Sequence, residues 1–90
     1  MSSKRGRLEI IFDLLDAIQQ KGGSIKPTHL LYKSNLSHKK MKEYVGELIR
    51  QEFVEKTEKK GKKEYAITEK GLAFLNEFQR IKKFSESFGI

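Results

Sequence analysis

Ser37, His38, Lys39, Lys40 and Lys42 bring a hydroxyl, an imidazole and three ammonium groups into one short stretch. All of them can donate hydrogen bonds. The chemistry they offer is anion recognition: ammonium groups pair with phosphates, while the hydroxyl and imidazole can donate to phosphates or base edges. A second basic cluster, Lys59, Lys60, Lys62 and Lys63, surrounds Gly61. Charge runs of this kind are ordinarily solvated faces. The two clusters gain meaning only if the fold brings them to one side of the molecule.

The positioning elements can be read from periodicity. Met41, Tyr44, Val45, Leu48 and Ile49 fall at i, i+3, i+4, i+7 and i+8, the one-sided stripe of an amphipathic helix. Ser37 stands where its hydroxyl can cap that helix. Upstream, Leu8, Ile11, Phe12, Leu15 and Ile18 mark a first helix over 8–20, which Gly22-Gly23 closes. Ser24-Ile25-Lys26 is long enough only for a bridge to a sheet formed later. Pro27 fits the first turn of a second helix, with Leu30, Leu31 and Tyr32 directed inward, and Asn35 supports a left-handed turn. A short helix, a tight turn and a long amphipathic helix outline a helix-turn-helix.

After Ile49 the period changes. Residues 53–58 and 63–67 read as the strands of a hairpin whose tip holds Lys59-Lys60-Gly61-Lys62. Thr68 caps a last helix with apolar residues at Leu72, Phe74, Leu75, Phe78, Ile81, Phe84 and Phe88. The expected fold is α+β, a winged helix-turn-helix: helix, short strand, helix, helix, two-stranded wing, long C-terminal helix. It divides into a flexible basic N-terminus over 1–7, a binding domain over 8–71 and a dimerisation helix over 72–90.

Lys+Arg 19 against Asp+Glu 12 gives a net charge of +7, which favours polyanions such as nucleic acid or an acidic membrane surface. The helix-turn-helix places the first cluster at the end of the helix that enters the major groove, and the second on the wing. Double-stranded DNA is therefore the expected ligand, with Ser37, His38, Lys39, Lys40, Lys42, Lys59, Lys60 and Lys62 as contacts. Phe74, Phe78, Ile81, Ser85 and Phe88 are spaced four, three, four and three apart, a heptad seam. Soluble monomers avoid an exposed stripe of this kind, so it points to a homodimer through the last helix. The alternative is a protein-interaction module that uses the winged helix as a scaffold.

Other classes are disfavoured. No run approaches the roughly 18 apolar residues of a membrane span, and a cytoplasmic, nucleoid-associated protein is expected. Cys 0 excludes disulfides and thiolate metal sites. His29 and His38 lack further ligands and read as surface residues, so no metal or other cofactor is expected. Without a nucleophile elbow, a P-loop or a carboxylate pair in an evident pocket, an enzyme is not expected.

Over residues 8–88 the chain resembles small archaeal winged-helix DNA-binding proteins, transcriptional regulators or chromatin-associated proteins whose last helix pairs in an antiparallel coiled coil. The resemblance rests on Asn35-Leu36-Ser37, Tyr44-Val45 with Leu48-Ile49, Phe53-Val54, and Tyr65-x-Ile67-Thr68-Glu69-Lys70-Gly71 followed by Phe74-Leu75. It implies a dimer that binds duplex DNA through Ser37, His38, Lys39 and Lys42 and through Lys59 to Lys62. Two positions depart from the pattern: Glu52 stands where a glycine commonly leaves the helix, and Gly46 where a charged residue is usual.

Overall fold

A computed structural model of the chain describes residues 5–89. Helix α1 (Arg7–Gln20) buries Leu14, Leu15 and Ile18 completely, whereas Leu8, on its first turn, lies past the edge of the core and is 56% exposed. Gly22 and Gly23 close the helix with φ of 87° and 103°, conformations that cost a side chain but not glycine. The two residues of β1 (Ser24–Ile25) follow, with Ile25 buried.

Helix α2 (Pro27–Ser34) ends at Asn35, whose φ of 58° turns the chain toward α3 (His38–Arg50). Within this turn Ser34 is buried but satisfied: its hydroxyl donates to the Leu31 carbonyl and accepts from the Leu36 N–H. Tyr32 does not face inward as the sequence led us to expect; it is 87% exposed. The reason is helical geometry. With 3.6 residues per turn, placing Leu30 in the core turns Tyr32 roughly 200° away from it. Helix α3 begins at the predicted cap, with Ser37 Oγ accepting from the Lys40 N–H at 3.1 Å. It buries Met41, Val45 and Leu48.

Strands β2 (Val54–Lys59) and β3 (Lys62–Ile67) form the hairpin, and the sheet order is β1-β3-β2, antiparallel throughout. Ser24 pairs with Ala66 and Ile25 with Tyr65, so the short bridge predicted from the sequence is the third strand. The hairpin turns through Lys60 and Gly61, both at positive φ (52° and 76°), which matches the twist of its strands.

The last helix, α4 (Glu69–Ser87), is locked to the chain that leaves α3. Thr68 Oγ1 accepts from the Gly71 N–H and donates to the Glu52 carbonyl at 2.6 Å; the Thr68 N–H donates to Phe53 O, and Lys70 Nζ to Gln51 O. Gly71 lies so close to this segment that an added Cβ would sit 2.1 Å from Phe53 O. Farther along, Leu75 is buried, Phe74 packs on Phe53 and Phe78 stacks on Phe12.

Two stability measurements test this account. Gly71→Ala should lower unfolding free energy by about 1–3 kcal/mol, the usual cost of overpacking. Asn76→Ala on the exposed side of α4 should stay within about 0.5 kcal/mol of wild type. Equal urea midpoints for the two variants would mean that α4 does not dock as described. Separately, Ser37→Ala should cost about 1 kcal/mol through loss of the cap, read in the same urea titration.

Candidate nucleic-acid interface

The burial of Met41, Val45 and Leu48 decides which way α3 faces. At 100° per residue, Lys39, Glu43, Gly46 and Arg50 lie on the opposite, outward side. Lys42 flanks that stripe on one edge, and Lys40 with Glu47 on the other. Ser37, His38, Lys39, Lys40 and Lys42 are all exposed.

On the Lys42 edge, an open cleft of ≈ 320 Å³ separates the start of α3 from the wing. His38 and Lys42 line it from the helix, and Lys56, Glu58 and Lys63 from the sheet. Glu58 pairs in register with Lys63, and Lys56 with Tyr65, so these three side chains share the sheet face of the buried Tyr65. The first basic cluster thus meets the cleft through His38 and Lys42 and the second through Lys63, whereas Lys59 and Lys62, one position along in register, lie on the other face of the hairpin. Lys56 is not among the residues expected from sequence, and Lys63 belongs to the second cluster but not to the expected contacts. The alternation of β2 and β3 about Tyr65 is the signal that would have found both.

At the tip, Lys59 and Lys62 are directly opposed in register, with Lys60 and Gly61 between them. Like charges directly across a strand pair repel. An anion placed over the tip would relieve that repulsion.

The other edge of α3 meets the beginning of the chain. Arg7 forms a hydrogen-bonded ion pair with Glu47, which holds the Glu47 carboxyl below the usual carboxylate range and raises the Arg7 guanidinium further. Arg5 reaches both Asp13 Oδ2 at 2.7 Å and the Ser34 carbonyl at 2.9 Å, joining α1 to the end of α2. Sequence reading assigned both arginines to a basic lead-in. Their partners lie 8, 29 and 40 residues away, beyond any local pattern. Lys4, in the same basic N-terminus, lies outside the described residues.

Among the described residues no cluster of three or more His, Cys, Asp or Glu side chains that could hold a metal ion occurs. Partial desolvation, then the nearby charges of Lys21, Lys33 and Lys26, push the His29 pKa below its ordinary value. Among the described residues no helix is long and apolar enough to cross a membrane.

The heptad seam divides into two parts. Phe74 and Phe78 are half-buried against Phe53 and Phe12 of the same chain. Phe78, Ile81 and Ser85 also line a groove of ≈ 270 Å³ between α1 and α4. Ile81, at the groove, is exposed; so are Phe88 and Phe84 beyond it, and Phe84, which is not part of the predicted seam, packs on Phe88 at 4.8 Å.

Comparison with known proteins places this geometry. The pattern of the Winged helix-turn-helix family matches residues 4–86. An uncharacterized protein of Methanocaldococcus jannaschii, MJ0290, is 34% identical over 80 residues, covering 89% of this chain and 35% of that protein. The chain therefore spans about a third of that relative's length. Sso10a-2, a DNA-binding protein from Sulfolobus solfataricus, superposes with a TM-score of 0.78 at 24% identity, over 93% of this chain and 85% of its own. F93 from STIV, a winged-helix DNA-binding protein, gives 0.75 at 19% identity, over 89% and 92%. Both share the fold. With the family pattern running from α1 into α4, and with the turn, the outward helix and the wing in their expected order, the chain belongs to the winged helix-turn-helix family.

Proposed function

We propose that the protein binds double-stranded DNA as a homodimer and acts inside the cell in transcription regulation or chromosome organisation. The observation that carries this reading is the single cleft that His38 and Lys42 line from the start of α3 and that Lys56 and Lys63 line from the wing. The fold neighbours named as DNA-binding proteins add support. In this reading α3 enters the major groove with its first turn leading. Ser37, His38, Lys39, Lys40 and Lys42 contact phosphates and base edges there, while Lys59, Lys60 and Lys62 reach an adjacent phosphate strand from the wing.

Dimerisation is the second half of the proposal. Ile81 and Phe88 of the predicted seam, joined by Phe84, form an apolar strip whose natural cover is the same strip of a second copy. Ser85 lies between them, and Phe74 and Phe78 anchor the helix to its own domain. A protein-interaction module, with α4 docking on a foreign protein, is the competing reading.

Duplex affinity measured against salt tests the first half. Each phosphate neutralised contributes about −0.9 to the slope of log K against log[salt]. Lys39→Ala with Lys42→Ala should therefore flatten the slope by about 2. The pair Lys21→Ala with Lys33→Ala should change it little. Equal losses in the two double variants would indicate diffuse attraction without a defined site, and a flat wild-type response would remove DNA as the ligand.

Sedimentation tests the second half. Ile81→Glu combined with Phe84→Glu should convert a dimer to a monomer with unchanged helix content, because both side chains are exposed and neither belongs to the core. A dimer that survives these changes would place the interface elsewhere. A wild-type monomer that pairs only with another protein would favour the interaction module.

A further inference from the structure

The outward face of α3 is not uniformly basic, and its one unusual feature is a carboxylate beside a gap. Glu43 lies in the middle of the outward stripe, one turn from Lys39 on one side and one turn from Gly46 on the other. Its side chain is 56% exposed, and its one ion pair among the described residues is a marginal 4.0 Å contact with Lys40. Glu47, by contrast, is already occupied by Arg7. The acidic group presented at the centre of the helix is therefore Glu43.

Gly46 sharpens the point. A glycine inside a helix costs about 1 kcal/mol relative to alanine, and a close packing contact would account for it, as at Gly71. None is present: an added Cβ at Gly46 would meet only the Arg50 side chain, at 3.8 Å. The missing side chain instead leaves a notch in the outward surface beside Glu43, bordered by the guanidinium end of the exposed Arg50 side chain. Backbone there can approach a ligand more closely than any other residue type would permit.

A carboxylate is repelled by phosphates, so it does not serve general affinity for a polyanion. What it can do in a major groove is accept from an exocyclic amino group, above all cytosine N4. Building on the proposed duplex binding, we infer that Glu43 is a specificity-determining residue. It accepts a hydrogen bond from an exocyclic base amine on the major-groove edge, and the Gly46 notch lets α3 sit deep enough for that contact. Lysines hold the duplex in place, and Glu43 makes the complex depend on the base beneath it. Cytosine N4 and adenine N6 share the required chemistry, and the sequences selected from a random pool distinguish them.

The test is selection of bound duplexes from a randomised pool with the full chain, followed by titration of the preferred site and its single-base variants. Wild type should enrich a site with cytosine or adenine at one position and discriminate against replacement there by roughly tenfold. Glu43→Ala should lose that discrimination while binding random duplex at least as tightly, because a repulsive charge has gone. Glu43→Gln should shift the preference toward adenine, which an amide can contact through both N6 and N7. Glu55→Ala, which removes the same charge from the start of β2, should leave the preferred base unchanged. Thermal unfolding of each variant separates lost contacts from lost structure. Wild type that binds duplex with no base preference, or Glu43→Ala that keeps the wild-type preference, overturns this inference and leaves duplex binding standing. Absence of wild-type binding at low salt overturns both.

Discussion

The close approach of Gly71 to Phe53 is the constraint on which the arrangement of the molecule depends. With no side chain at position 71, the first turn of α4 rests directly on the backbone that connects α3 to the wing. Three successive carbonyls of that connection, those of Gln51, Glu52 and Phe53, accept from Lys70 and Thr68. The connection carries its own strain, since Glu52 is held at φ 65° without being glycine. Clamping it from the far side fixes two angles together: the direction in which α3 leaves the core, and the direction in which the hairpin departs from α3. The width of the cleft between Lys42 and Lys63 follows from those two angles. A contact made by residues outside the cleft thereby bears on the shape of the surface read as the DNA interface.

Electrostatics around α3 separates structural from available charge. Arg5 and Arg7 add to the net charge of the chain, but their guanidinium groups are committed to Asp13, the Ser34 carbonyl and Glu47. They help hold α1 against α2 and α3 and contribute little free field. At the wing the reverse holds: Lys59 and Lys62 face each other in register, and among the described residues neither forms an ion pair. The formal charge of +7 counts all these groups alike. The structure ranks them by what each already touches.

Much of the architecture was legible because it rests on local rules. The cap at Ser37, the left-handed turn at Asn35, the helix end at Gly22-Gly23 and the cap at Thr68 each involve residues within a few positions, and each occurs where the pattern placed it. Misreadings came where a residue's fate depends on something distant. Leu8 fits the stripe of α1 but lies beyond the core, while Leu14, off the predicted stripe, is fully buried because α2, α4 and the sheet pack α1 over a wider arc. Gly71 appeared in the sequence only as part of a family-like string; its necessity comes from a backbone nearly twenty residues upstream. The candidate site divides in the same way. The lysines were visible as clusters, but Lys56 entered only once the strand register put it beside the cleft.

The shape of the chain bears on the proposed dimer. A 90-residue domain of ordinary compactness has a radius of gyration of about 12 Å, whereas this chain has 13.6 Å and a long dimension of 48 Å. The excess belongs to α4. At 1.5 Å per residue its 19 residues extend roughly 28 Å, and the domain covers only the half that ends near Phe78. The uncovered half carries Ile81, Phe84 and Phe88, each more than 60% exposed. Burial of an aromatic or isoleucine side chain yields on the order of 1.5–3 kcal/mol, so three from each of two copies supply enough to offset the loss of freedom on association at the lower end of its range. Because the helix is also anchored through Gly71, a pair joined along its outer half would hold the two α3 helices at a set separation. The contact that fixes α3 within one chain would then transmit its position to the other.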